Sequence, residues 1–213
     1  MKFQLEQVVP HPLEEADVSA SQVWRKQVEL HAGKFIRLQA ASGRGKTTFL
    51  HILYGRRKDF SGKAFIDGND IARMDGNKWA ALRQKNISIV FQELALFSDL
   101  SGWENVWLKA MLTKHYDKDV ILTLAERLNA KHLLEKKCGI MSFGERQRIA
   151  ILRSLVQPFD WLFLDEPFSN LDAENSRAAS SLIIEECKKR NAGLLVAALG
   201  ADEYFTYHET LLV

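Results

Sequence analysis

Three short clusters in this 213-residue chain bring together residue types that can do chemistry. The first is the run Ala40-Ala41-Ser42-Gly43-Arg44-Gly45-Lys46-Thr47-Thr48. Gly45, Lys46 and Thr47 fit the end of the phosphate-cradle pattern G-x-x-x-x-G-K-[ST], with Ala40 standing where its first glycine is expected. A turn of successive backbone N–H groups, including those of Ser42 and Arg44, can wrap a polyphosphate. The N-terminus of the following helix adds positive potential. Gly43 and Gly45 supply backbone freedom, Lys46 can reach the β- and γ-phosphates, the Thr47 hydroxyl can ligate Mg²⁺, and Thr48 can donate to the α-phosphate. Ala40 asks only for a backbone conformation that an L-residue tolerates. A chance Gly-Lys-Thr before a helix would look the same in isolation, so the reading depends on what else the chain carries.

The second cluster is Trp161-Leu162-Phe163-Leu164-Asp165-Glu166-Pro167, an apolar strand that ends in two adjacent carboxylates. Asp165 would hold Mg²⁺ directly or through water, and Glu166 would orient and polarise an attacking water as general base. A buried strand followed by an acidic turn is the plain alternative. The third is Met141-Ser142-Phe143-Gly144-Glu145-Arg146-Gln147-Arg148. Here a helix start presents the Ser142 hydroxyl and the Gly144 N–H to a phosphate. The same residues also read as a simple capped helix, with Glu145 at the capping-box position. Both readings can hold at once.

These clusters need elements to place them. Alternating apolar residues predict a strand at the start of the chain, a loop over 10–22, and strands from Gln27 to Leu30 and from Lys34 to Gln39 across a turn at Ala32-Gly33. A helix is expected from Lys46 to Tyr54, and a hairpin strand from Lys63 to Ile66 turning at Asp67-Gly68. Further helices are predicted over Asn77–Gln84, Ser142–Val156 and Ala173–Arg190, and further strands over Ile87–Phe91, Trp161–Leu164, Gly193–Ala198 and Thr210–Val213. Gly102 to Leu134 reads as a helical insertion broken near His115 to Asp117. Strands that alternate with helices, some apolar on both faces, imply an α/β fold with a mostly parallel sheet, and ligands in such sheets bind beyond the strands' carboxyl ends.

Composition bounds the partners. Hydrophobic residues make up 46% and charged residues 26%, as in ordinary globular domains, and the net charge of +2 gives no reason to expect nucleic acid. Cys138 and Cys187 match no metal-ligand spacing and read as reduced structural thiols. The N-terminus lacks a signal-peptide core, and the longest apolar stretch, Gly193 to Ala201, is too short to cross a bilayer. Any membrane role is therefore expected to come through a partner chain.

Taken together and in this order, the clusters resemble the nucleotide-binding domain of ABC transporters. Ser142, Gly144, Gln147 and Arg148 match the signature L-S-G-G-Q-x-Q-R, with Phe143 replacing a glycine and Glu145 a glutamine. Val90-Phe91-Gln92 resembles the Q-loop, and Ser169-Asn170-Leu171-Asp172 the D-loop. The resemblance covers nearly the whole chain, and the stretch from Gly62 to Leu108 is most similar to the lipoprotein-releasing and macrolide-exporter subgroup. It implies a P-loop NTPase of ABC type: a core over 1–91 and 157–213 with an antiparallel β subdomain, and an inserted helical subdomain over about 93–156. It implies ATP and Mg²⁺, with Glu166, Lys46 and Gln92 as catalytic residues and Thr47, Gln92 and Asp165 at the metal. Nucleotide would lie between Ser42 to Thr48 of one copy and Ser142, Gly144 and Glu145 of a second ATP-binding subunit, identical or paralogous. The remaining implied partner is a transmembrane permease, with the chain peripheral on the inner face of the cell membrane.

Some positions depart from the family pattern. The histidine usual after the strand that follows the acidic pair has Ala197 and Ala198 near its place, and His208 lies too far on. Losing such a contact can cost about a hundredfold in rate, so a subunit that binds ATP but turns it over slowly is one alternative. A soluble ABC ATPase without a transport role and a P-loop kinase are others, but neither a coiled-coil insertion nor an acceptor-binding lid is visible. His11 and Trp24 are the aromatic candidates near an adenine site, Trp24 being expected to pack beside a strand. Phe143 could obstruct the partner's phosphate or point outward. Trp103 and Trp107 share a helix face and are expected to pack internally, with contact to the membrane subunit as the alternative.

Overall fold

The computed structural model describes residues 1–13, 15–40, 43–198 and 203–213. The chain begins with β1 (Lys2–Pro10), α1 (Glu15–Ala20), β2 (Gln27–His31), β3 (Phe35–Gln39) and α2 (Lys46–Leu53). It continues through β4 (Phe60–Ile66), β5 (Asn69–Asp70), α3 (Gly76–Lys85), β6 (Ile87–Val90), α4 (Gly102–Ala110) and α5 (Lys118–Arg127). It closes with α6 (Phe143–Leu155), β7 (Trp161–Asp165), α7 (Ala173–Arg190), β8 (Gly193–Ala198) and β9 (Glu209–Leu212).

The strands form two sheets. β2-β1-β4-β5 is antiparallel throughout, with Phe3 opposite Leu30 on one side and Ile66 on the other. β6-β7-β8-β3-β9 is parallel throughout. The parallel sheet is buried on both faces, and the alternation of β7 shows why. Trp161 and Phe163 point into a core shared with β1 and α2, while Leu162 and Leu164 point into a core shared with α4 to α7. Period-2 side-chain direction thus sends every apolar residue of this strand into one core or the other.

Parallel pairing has a further consequence. Gln39, Val90, Asp165 and Ala198 end their strands at the same edge of the sheet, in the registers Asp165 with Ala197 and Gln39 with Ala198. The phosphate-cradle turn, the Gln92 turn and the Asp165-Glu166 pair all leave from that edge.

The predicted elements are found close to their expected bounds, with one difference. The segment expected as a loop over 10–22 holds the end of β1 and the six-residue α1. This helix spans under two turns, and Val18 is its one core apolar residue among those described. It has no periodic pattern for a sequence reading to detect.

Candidate functional site

The turn between β3 and α2 carries the phosphate-binding candidates; Ser42 lies outside the described residues. Gly43 and Gly45 adopt left-handed backbone with φ of 81° and 100°. At Gly45 a second constraint operates: a Cβ there would lie 3.2 Å from Cζ2 of Trp24. Trp24 is wholly buried and meets Phe49 edge to face, so it forms the floor of the turn and offers no stacking face to adenine. Gly45 caps α2 without a side-chain hydrogen bond, which leaves the first N–H groups of the helix to an incoming anion. Lys46 is buried and its Nζ donates to the Ala40 carbonyl at 2.7 Å. Ala40 itself is not among the residues with left-handed φ, which explains why alanine serves in place of glycine. Burial lowers the Lys46 pKa, and the carboxylates of Glu166 and Asp165 act against that shift. Arg44 is exposed. The Thr48 hydroxyl accepts from Arg57 Nη1 at 3.2 Å, so it is tied to the loop after α2.

Asp165, the last residue of β7, is 2% exposed, and neither of its carboxylate oxygens has a hydrogen-bond partner of good geometry. Burial pushes its pKa up to about 6; the nearby Thr47 hydroxyl opposes this, Glu166 and Glu93 add to it, and Lys46 opposes it weakly. A buried, partnerless carboxylate beside a threonine hydroxyl is a donor set that fits a hard cation such as Mg²⁺, and the pair Thr47 and Asp165 would hold one.

Glu166 follows in left-handed backbone, φ 49°, a costly conformation for a residue with a side chain. Hydrogen bonds to its backbone hold it there. Its N–H donates to the Ala197 carbonyl at 2.8 Å, and its carbonyl accepts from Gln147 Nε2 at 3.0 Å and Ser169 Oγ at 3.2 Å. The conformation turns its side chain towards Gln92, whose Nε2 lies 3.4 Å from Glu166 Oε2. Gln92 is fixed in turn by its neighbours: Arg56 pairs with Glu93 at 2.6 Å and covers the Phe91 ring at 4.8 Å.

Ser142 caps α6 in a full capping box. Its hydroxyl accepts from the Glu145 N–H, and Glu145 accepts from the Ser142 N–H. The Glu145 carboxylate also pairs with Lys136 at 2.8 Å, so its charge is spent on the cap. At Gly144 a Cβ would lie 2.6 Å from the Asn170 carbonyl, because the 169–172 turn runs directly over the start of α6. Phe143 points outward, 37% exposed, with the Arg146 guanidinium 5.3 Å from its ring centroid.

Gln147 is the residue whose role the motif reading leaves open. It is buried, donates to the Glu166 carbonyl and accepts from the Asn170 N–H at 3.3 Å. A polar residue in the apolar face of a capped helix is the signal that marks it. His208 accepts from the Phe35 N–H at 2.9 Å, at the opposite end of β3 from the phosphate-cradle turn, so it takes no part in the site. Ala197 and Ala198 stand beside Asp165 and Gln39 at the site edge. The Trp103 and Trp107 rings stack on each other at 5.3 Å with Trp107 exposed, so the pair is not internal as expected. Trp103 alone packs against the helical core.

Residues 25–169 match the family model described as ABC transporter. The chain is 31% identical over 178 residues to the lipoprotein-releasing system ATP-binding protein LolD of Granulibacter bethesdensis, covering 82% of this chain and 78% of that protein. It is 33% identical over 189 residues to the Fe(3+) ions import ATP-binding protein FbpC of Vibrio cholerae, covering 87% of this chain and 52% of that protein. Its fold is similar to that of a dimeric ATP-binding cassette in a post-hydrolysis state bound to ADP and Pi, with a TM-score of 0.77 at 22% identity over 92% of this chain and 87% of that one.

Two consequences of the geometry are measurable. Asp165 binds its proton more tightly folded than unfolded, so its charge destabilises the fold as pH rises from about 4 through about 6, by up to about 3 kcal/mol. Asp165→Asn lacks this penalty, and its melting temperature relative to the native chain should climb between pH 4 and 7; a constant difference would refute the assignment. Gln147→Ala should cost about 1–3 kcal/mol in urea unfolding and lower kcat more than ATP affinity, since it frees the Glu166 turn and leaves the phosphate cradle alone. The order of the clusters, the single edge on which the sheet gathers them and the family match agree: the chain belongs to the ABC transporter family, as an ATP-binding subunit with ATPase activity.

Proposed function

We propose that the chain hydrolyses Mg-ATP between two ATP-binding subunits to drive a transmembrane permease. The observation that carries this reading is the buried, partnerless Asp165 at the strand edge shared by Lys46, Thr47, Gln92 and Glu166. Thr47 and Asp165, with Gln92, would hold Mg²⁺, which neutralises charge on the phosphates when bound. Gly43 to Thr48 bind the β- and γ-phosphates through backbone N–H groups and the Lys46 ammonium. Glu166 accepts the proton of the attacking water, and Gln92 orients that water from the facing side. Ser142 and Gly144 meet the nucleotide held by the other subunit, so the triphosphate closes the dimer and its hydrolysis lets the halves part. Residues 1–91 and 157–213 form the core in this scheme, and about 93–156 the helical subdomain.

Among the described residues no helix is long and apolar enough to cross a membrane. The permease supplies the membrane path, and the chain acts peripherally on the inner face. The Gln92 turn supports a coupling route: Phe91, Ala95 and Phe97 line a groove of about 330 Å³ between β6 and α4, so one short segment touches both the site and an exposed apolar surface. Relatives of nearly equal identity carry names for lipoprotein release and for iron import. Cargo is therefore assigned to the membrane subunit and not to residues of this chain.

A second reading, slow turnover with ATP binding intact, is favoured by Ala197 and Ala198 at the edge of β8 next to Asp165. A single variant tests both. Glu166→Gln should lower ATP turnover by roughly 10²- to 10⁴-fold while trapping a dimer on size exclusion with Mg-ATP. A dimer that forms equally without nucleotide would end the shared-site reading. A turnover rate that Glu166→Gln leaves unchanged, already near the water rate in the native chain, would favour the second.

A further inference from the structure

Hydroxyls inside the helices of this chain commonly donate backwards. Thr123, Ser154 and Ser180 each give their proton to a carbonyl of their own helix three or four residues earlier. Thr48, in the first turn of α2, behaves differently. Its oxygen accepts from Arg57 Nη1 at 3.2 Å, and no acceptor for its proton is found among the described residues. A guanidinium only donates, so Arg57 engages the oxygen and leaves the proton for another partner. A helical threonine divides between two rotamers, because its hydroxyl can turn to the carbonyl one turn back. The bond from Arg57 weights the rotamer observed.

The guanidinium is itself anchored. Nε and Nη2 donate to the two Asp59 carboxylate oxygens at 2.9 and 3.0 Å, and Nη2 also donates to the His11 carbonyl. The His11 N–H donates in turn to the Asp59 carbonyl at 3.0 Å. Hydrogen bonds from Arg57 hold the Asp59 carboxyl below the usual carboxylate range, so the pair stays ionised and its charges balance locally. The Arg57 backbone N–H donates to the His51 carbonyl at 3.1 Å, and His51 lies one turn from Thr48 along α2. One side chain thus ties α2 to the loop that follows it and to the turn that ends β1.

Resting on the reading that Gly43 to Thr48 hold the phosphates, we propose that Arg57 is a positioning residue for the α-phosphate: it fixes the Thr48 oxygen so that the O–H is presented to the nucleotide and not to its own helix. Its contribution is direction and not charge, since Asp59 already balances the guanidinium. The α-phosphate is common to ATP and ADP and takes no part in the bond that breaks. Arg57 therefore sets how tightly either nucleotide is held and bears little on the chemical step.

The test uses the full chain, with Mg-ADP titrated by calorimetry and ATP turnover measured at steady state. Arg57→Met should raise the Kd for Mg-ADP and the KM for ATP by the same factor, about five- to tenfold, and change kcat by less than about twofold. Arg57→Lys keeps the charge without the fork and should behave as Arg57→Met does. In a Thr48→Val chain, which binds Mg-ADP about tenfold more weakly, adding Arg57→Met should cost less than about twofold more. If Arg57→Met melts early, Asp59→Asn loosens the anchor with Arg57 in place and should raise both constants by about threefold. The full factor in the Thr48→Val chain, native affinity in Arg57→Lys, or a fall in kcat with Kd unchanged would overturn the role of Arg57 while leaving the phosphate cradle standing. A native chain that binds neither nucleotide would overturn that reading and the inference together.

Discussion

The rest of the site depends on a buried carboxylate whose oxygens lack a hydrogen-bond partner of good geometry. Asp165 ends a strand that is buried along its whole length, and the chain surrounds it with a threonine hydroxyl and a lysine that already has a carbonyl partner. A chain selected for stability alone would place a hydrophobic residue or an amide there. The cost makes sense if an external charge completes the site, so that cation and nucleotide contribute to the energy of the closed state. The parallel sheet makes this placement possible. It brings four strand ends to one edge and buries both faces, so the carboxylate is desolvated by the same apolar strands that position it.

The second layer of organisation is a set of unfavourable backbone conformations held by buried polar contacts. Glu166 is left-handed and held by Ala197, Gln147 and Ser169; Leu94 and Ala95 are left-handed and held by Arg153. Both turns are held from α6: Gln147 near its start reaches the Glu166 turn, and Arg153 near its end reaches the turn after Gln92. The helix whose N-terminus carries Ser142 and Gly144 therefore also braces the backbone turns at Glu166 and just beyond Gln92. A shift of α6 on meeting another subunit would act on Glu166 and on Gln92 together, without a separate relay.

Much of this was legible in the sequence, and the division follows a physical line. Period-2 and period-3.6 patterns placed nearly every strand and helix, because the elements are long enough for burial to impose a period. The six-residue α1 was not legible, since one buried valine leaves no period. Lys46, Thr47, Asp165 and Glu166 could be assigned because their chemistry is local: a turn, a strand end, an adjacent pair. What stayed out of reach is long-range. Nothing near Arg56 announces Glu93, nothing near Lys109 announces the Arg83 carbonyl, and the reason for glycine at 144 is a carbonyl twenty-six residues away at Asn170. His11 and Trp24 were the aromatic candidates near an adenine site, and Trp24, expected to pack beside a strand, is consumed in supporting Gly45. Such pairings are set by topology, and only the folded chain displays them.

The methyl groups of Ala197 and Ala198 show how binding and turnover can be set separately on this scaffold. Every contact assigned to holding the triphosphate comes from the turn before α2, the carboxylate at the end of β7 and the start of a partner's α6. None of these is a side chain of β8, whose backbone pairs with the strands that carry them. The groups proposed to act on water are Glu166 and Gln92, 3.4 Å apart. A polar side chain at the end of β8 would add a third such group beside them, and an alanine removes it without disturbing the strand, whose pairing to β3 and β7 is intact. Loss of a group that acts in the transition state lowers kcat and leaves ground-state affinity alone. On the proposed mechanism the closed dimer then lasts longer per ATP, and the time the chain spends pressed against its membrane partner is lengthened by a side-chain change at the end of β8, a strand whose backbone pairs with both strands that carry the motifs.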